Sequence, residues 1–298
     1  MTQRILRATT GSLSWQPLDG DGEPGNPGTV TVGVTASDGS TVIAAGTATT
    51  GSTTDPRTIA LTVAQSADLE VLTATWKVGS DVVAVTDHWV VGGFLFSAVE
   101  LRAVEPSTAD GSRDVTAAIQ RARSDVEDLF ENATGVPWTP RLHVVCSTRD
   151  HDGYHLATGS RFVRSVRWCR LWYGEDDYTE LTAAELAQIV PAADGIVKLP
   201  MTTAGYWKVT AGVEVGYFVG TPIGVQIPAD VRRAAFTYGR SLVHQARSAV
   251  PDRAMSMQTP DGTSVTLATA GLGRWRTAIP AVDEVLNRYD RRPIGYPI

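Results

Sequence analysis

The stretch DVTAAIQRARSDVEDLFENATGVPW, residues 114–138, decides how this chain is divided. Val115, Ile119, Ala122, Val126 and Leu129 recur at helical spacing and form one apolar stripe, while Arg121, Arg123, Asp125 and Asp128 occupy the other faces. Ser112 or Asp114 is suited to cap the start, Gly135 supplies a left-handed C-cap and Pro137 blocks continuation. An amphipathic helix of this length needs partners for its apolar stripe, and the pattern on its two sides differs.

Upstream, the chain alternates with a period of two. Val30, Val32 and Val34 do so, as do Ile59, Leu61 and Val63, and then Leu72, Ala74, Trp76 and Val78. Asp38-Gly39 and Gly79-Ser80-Asp81 fall where tight turns are wanted. No helical period of useful length interrupts this region, so about six or seven short strands predict a small β-sandwich of immunoglobulin-like size. The loop GDGEPGNPG, residues 20–28, is too rich in Gly and Pro for regular structure. The change of pattern falls at Glu105-Pro106-Ser107.

Downstream, strand-like runs return over residues 142–146, 162–173, 196–199 and 206–219. A short helix over 182–189 opens with the capping pattern Thr182-Ala-Ala-Glu185. Two helices close the chain, each after a proline suited to a first helical position. One follows Pro228 with Val231, Ala235, Tyr238 and Leu242 on a stripe; the other follows Pro280 with Val282, Val285, Leu286 and Tyr289. The expected fold is therefore α+β with two domains. Residues 1–105 form the immunoglobulin-like β-sandwich, and residues 106–298 form a helical bundle with a β insertion at 141–220.

Composition narrows the function. The chain has 298 residues, 43% hydrophobic and 19% charged, as a folded globular protein has. No run approaches the roughly 18 apolar residues of a membrane-spanning helix. MTQRILRATT at the N-terminus is basic but is followed by no apolar signal-peptide region, which implies synthesis in a cytoplasm. Cys146 and Cys169 are too few for a secreted disulfide scaffold, and both are expected as buried free thiols. Residues 1–105 hold 5 Lys/Arg against 11 Asp/Glu, whereas residues 232–298 hold 10 against 5. Such asymmetry suits faces meant for different neighbours, and the acidic front argues against duplex binding there.

Four stretches could carry chemistry. In TAGLGRWRTAIPAVDEVLNRY, residues 269–289, Gly271 and Gly273 precede Arg274, Trp275 and Arg276 ahead of a helix. There is no Walker Lys-Ser/Thr and no third glycine, and Pro280 lacks the amide a phosphate would use, so a flexible connection is the better reading. His143, Cys146, His151 and His155 are zinc-type donors, but His143 and Cys146 point to opposite faces of a strand. Arg161, Arg164, Arg167 and Arg170 recur every three residues among Phe162, Trp168, Trp172 and Tyr173. On a regular strand Arg161 and Arg167 would share one face and Arg164 and Arg170 the other, and Glu175-Asp176-Asp177 follows at once; a subunit-contact strand suits this better than a nucleic-acid platform. Finally, Trp15, Trp76 and Trp89 admit a carbohydrate-binding sandwich appended to a cell-wall glycan hydrolase, although Trp in a sandwich is ordinarily core or interface. The motifs of common hydrolases and kinases are missing from the sequence, and no enzyme activity, metal or cofactor is expected.

The second half, over residues 107–292, resembles the head-to-tail connector, or adaptor, proteins of long-tailed bacteriophages. Four segments carry the likeness: DVTAAIQRARSDVEDLFENATGVPW as the opening helix, FVRSVRWCRLW as a central strand, VTAGVEVGYFVG with IPADVRRAAFTYGRSLV as a strand, proline and ring-lining helix, and PDRAMSMQTPDGTSVTLATAGLGRWRTAIPAVDEVLNRYDRR as the tail of actinobacteriophage adaptors. The resemblance implies a structural virion protein of the neck, assembled in the host bacterial cytoplasm. It implies a closed ring of about twelve copies beneath the portal protein. Genomic DNA would pass through the ring without sequence-specific binding, and another face would receive the next neck or tail-completion protein, with no membrane involved. On this reading Gly271 and Gly273 are a hinge for the last helix. Arg274, Trp275, Arg276, Arg288, Tyr289, Arg291, Arg292 and Tyr296 are then candidate portal contacts, and cutting after Arg276 is expected to leave a folded protein.

Overall fold

The computed structural model describes residues 3–19, 21–51, 55–104, 113–147, 155–157, 162–174, 177–191, 196–198, 212–220, 226–245, 256–258, 264–266, 277 and 279–290. Seven strands come first: β1 Gln3–Leu6, β2 Gly11–Trp15, β3 Val30–Ala36, β4 Thr41–Ala48, β5 Arg57–Leu61, β6 Glu70–Val78 and β7 Asp81–Val91. β4, β3, β6 and β7 pair in that order, antiparallel throughout, and β1 runs parallel to β7. β2 and β5 make a separate two-stranded sheet. Leu13 and Leu61 from the small sheet and Val32, Val34, Leu72, Ala74 and Trp76 from the large one bury into one core, so the period-two pattern does build two facing sheets. The loop between β2 and β3 is tied by Arg57, whose guanidinium donates to Gly51 O (2.7 Å), Asn26 Oδ1 (3.1 Å) and Gly28 O (3.1 Å).

The β insertion continues the same sheet. Its strands are β8 Arg141–Ser147, β9 His155–Ala157, β10 Val163–Trp172, β11 Tyr178–Glu180, β12 Val190–Pro191, β13 Ile196–Lys198 and β14 Gly212–Val219. The order β11-β10-β14-β8 joins β7 through the single pair Val91–Arg141, giving nine strands in all, while β12-β13-β9 form a small sheet of their own. The two meet in a second core around Cys169, Leu171, Val197, Val215 and Tyr217. Gly216 is required here, because a Cβ would lie 2.5 Å from the Trp168 ring stacked on it.

The helices are α1 Ala98–Val104, α2 Arg113–Thr134, α3 Ala183–Leu186, α4 Ala229–Gln245 and α5 Pro280–Tyr289, with a hairpin of β15 Ser256–Gln258 and β16 Ser264–Thr266 after α4. α3 carries the predicted capping box between Thr182 and Glu185. α2 buries Val115, Ile119, Ala122, Val126 and Phe130, and Gly135 ends it at φ 66° with its amide on Glu131 O.

The chain divides into two compact units, residues 1–93 with 139–223 and residues 94–138 with 224–298. The expected boundary at 105 does not coincide with these units. Hydrogen bonding draws β8, β10 and β14 into the sheet of β7, so the β insertion belongs with the N-terminal strands. Residues 98–104 also form α1, a helix too short to show a period in sequence.

Candidate functional site

In the helical unit, α5 is docked on its neighbours. Val282 and Leu286 are fully buried, and buried Asp283 accepts from the Thr277 amide (3.1 Å) and hydroxyl (2.9 Å), which fixes the entry to the helix. Arg288 in the last turn of α5 donates to Asp230 (3.1 Å) in the first turn of α4 and to Glu284 (2.9 Å). Each charge opposes the partial charge of its own helix end. The Tyr289 hydroxyl meets the same Asp230 carboxylate at 3.1 and 3.2 Å, and its ring packs edge-on to Trp138 at 5.4 Å. Arg288 and Tyr289 therefore clasp the helices together. Gly271, Gly273, Arg274, Trp275, Arg276, Arg291, Arg292 and Tyr296 lie outside the described residues.

The arginine strand takes a form that alternation does not predict. Val163 pairs with Val219 but Ser165 with Phe218, and Val166 pairs with Tyr217 but Trp168 with Gly216. Arg164 and Arg167 are the extra residues of two bulges, and each bulge resets the alternation of faces. Arg164 donates to Gly220 O. Arg167 donates to Glu70 (2.7 Å) and to Leu69 O (3.3 Å). Arg170 is buried, bonds Glu180 (3.2 Å) and Asp38 O (2.9 Å), and stacks 4.6 Å from the Trp168 ring. The sharing of faces expected for these arginines is thus corrected. Arg167 and Arg170 both reach the turn and strand of the sandwich, while Arg161 lies outside the described residues.

A groove between α1 and α4 has no counterpart in the sequence reading. Its floor is Leu95, Phe96, Ile227 and Phe236, its rim Val104 and Arg233, and its volume about 410 Å³. Ser97 and Glu100 cap α1 reciprocally at 2.9 Å, and the amide of Ser97 holds the Glu100 carboxyl below its usual range. Glu100 then accepts from Arg232 (3.1 Å). Gly239 admits the Phe96 ring, since a Cβ there would sit 2.4 Å from it. Ser97 and Glu100 three residues apart were the legible signal.

Among the remaining candidates, Trp15, Trp76, Trp89 and His143 have packing or hydrogen-bond partners. Trp76 is fully buried and lies 5.8 Å from Trp15, while Trp89 lies beneath the guanidiniums of Arg4 (5.3 Å) and Arg141 (4.6 Å). His143 meets the Tyr217 hydroxyl at 2.8 Å, and His151 lies outside the described residues. Cys169 is buried, which pushes its thiol up to about 12, but Cys146 is exposed, correcting the expectation for it. β14 runs between them, with Glu214 opposite Cys146 and Val215 opposite Cys169. Two strand spacings, roughly 10 Å, separate the pair, too far for a disulfide.

No protein-family model matches the chain, and no curated protein matches it. Among solved structures it is similar to a chain from the neck of an empty GTA particle computed with C6 symmetry, with a TM-score of 0.43 and 18% identity, over 68% of this chain and 93% of that one.

Proposed function

We propose that the chain is a structural protein of a phage-type virion neck, a head-to-tail adaptor that forms a ring beneath the portal protein and leaves a channel for the genome. The observation that carries this reading is the packing of α2, α4 and α5. The segments that resemble the adaptor's opening helix, ring-lining helix and tail fold into one helical unit, with the β insertion between the first two in sequence. A basic C-terminal end suits an acidic docking surface, where complementary charge sets register and encounter rate more than affinity. The docked α5 shifts the portal-reaching role to the segment after it, with Arg291, Arg292 and Tyr296, removes the need for Gly271 and Gly273 to act as its hinge, and leaves Arg274, Trp275 and Arg276 as anchoring residues.

Negative-stain imaging of the purified chain mixed with portal tests the reading. Portal-capping discs or rings of about twelve copies, closed by one repeated heterologous contact, are the expected result. Portal particles left uncapped at saturating protein would refute it.

A further inference from the structure

The outer face of the larger sandwich sheet is arranged in three rows. Alternation along β6 buries Leu72, Ala74 and Trp76 in the core and leaves Thr73, Thr75 and Lys77 on the opposite face. Their partners on β7 are Asp87, Val85 and Val82, and on β3 they are Thr35, Gly33 and Thr31. Val83 is the extra residue of a bulge, because Trp76 lies opposite Ala84 but Lys77 opposite Val82. Val82, Val83 and Val85 are 54%, 42% and 60% exposed. Ala45 bounds the face on the β4 side, since a Cβ on Gly33 would lie 3.0 Å from its Cα. At the other end Trp89 is covered by Arg4 and Arg141. Neighbouring exposed valines on a sheet face mark an interaction surface, since solvated faces otherwise carry polar residues.

Lys77 and Asp87 are the only charged residues in these rows, and they are placed symmetrically. Each lies two residues from the Thr75–Val85 pair, on opposite sides, roughly 7 Å along the strands. Lys77 makes no hydrogen bond or ion pair among the described residues, and Asp87 accepts a hydrogen bond only from Thr73 (2.8 Å). We propose that this face packs on the same face of a second copy of the chain, about a two-fold axis that crosses the strands at the Thr75–Val85 pair. Such an axis turns the row of Asp87 onto the row of Lys77 and sets Val85 against its own counterpart. Each Lys77 then lies one strand spacing, roughly 5 Å sideways, from Asp87 of the second copy. A contact between identical patches requires this self-complementarity. An acidic or a basic partner would meet one charge of its own sign here, whereas a second copy answers both. The face is small, so the dimer belongs with the reversible contacts at the low end of interface sizes. A ring closes through unlike surfaces, so this two-fold contact is separate from the ring reading and does not depend on it.

Sedimentation equilibrium of the full chain without portal tests it, with a reversible monomer–dimer equilibrium as the expected result. Lys77→Asp alone and Asp87→Lys alone each set like charges across the axis, and each is expected to weaken the dimer on the order of tenfold. The two variants mixed in equal amounts are expected to recover the parental association, because each supplies the charge that the other needs at both contacts. Folding is controlled within the experiment, since the same two proteins must fail alone and succeed together. A chain that is monomeric at every concentration, a dimer that both variants leave unchanged, or a mixture that does not recover overturns the contact. A monomeric chain whose variants lose portal capping would put another protein on this face, and overturns the second copy as its occupant.

Discussion

Burial holds the His88 imidazole neutral. The residue is 2% exposed, its Nε2 lies 2.8 Å from the Thr86 hydroxyl that also accepts from Trp76, and its Nδ1 has no partner among the described residues. Desolvation lowers its pKa from 6.5 to about 4, against a smaller opposing effect of Asp87. Below pH 6.5 the unfolded chain takes up a proton that the folded one refuses, so stability falls as pH drops from 6.5 towards 4 and falls no further through this group below that. The loss amounts to roughly 3 kcal/mol. His88→Gln, compared with the parent by urea unfolding across this range, is expected to lose less stability by about that amount; parallel pH profiles would count against it. Nothing in the sequence marks His88, because whether an imidazole is wet or dry depends on the sheet packed over it. Arg167 and Arg170 illustrate the same limit. Their spacing is visible, but the bulges that aim both at the sandwich come from pairing with β14.

At the level of elements, the helices were the most legible part. α2, α4 and α5 each show an apolar stripe with a local stop or start signal, and their observed ends follow Gly135, Pro228 and Pro280 closely. What the stripe omits is the partner. α5 was expected to swing free, yet Val282 and Leu286 are core residues of the helical unit. Cutting after Arg276 removes both, and is expected to lower stability by roughly 3–6 kcal/mol for two buried aliphatic side chains. Cutting after Asp290 should leave thermal unfolding unchanged while portal capping is lost. Equal unfolding temperatures for the two truncations would show that α5 contributes no packing.

For the whole molecule, the decisive event is that one sheet incorporates strands from both ends of a helical excursion. The core of Ile5, Leu13, Val30, Leu61, Trp76 and Val90 is drawn entirely from residues before 94, so a fragment of residues 1–93 is expected to unfold cooperatively by itself. A fragment of residues 1–105 adds Leu95, Phe96 and Leu101, all buried in the other unit, and is expected to aggregate. Absence of a cooperative transition in the shorter fragment, or equal solubility of the two, would refute this division. The sequence by itself determined the elements, since alternation, apolar stripes, turn dipeptides and caps are local properties of a few adjacent residues. It also determined the charge asymmetry and the α+β character. The tertiary structure alone decided that the insertion joins the sandwich sheet, that α5 packs into the helical unit, that Arg167 and Arg170 are internal ties, and that a groove faces solvent beside α1. Those outcomes depend on contacts between residues far apart in the chain, which no periodicity encodes.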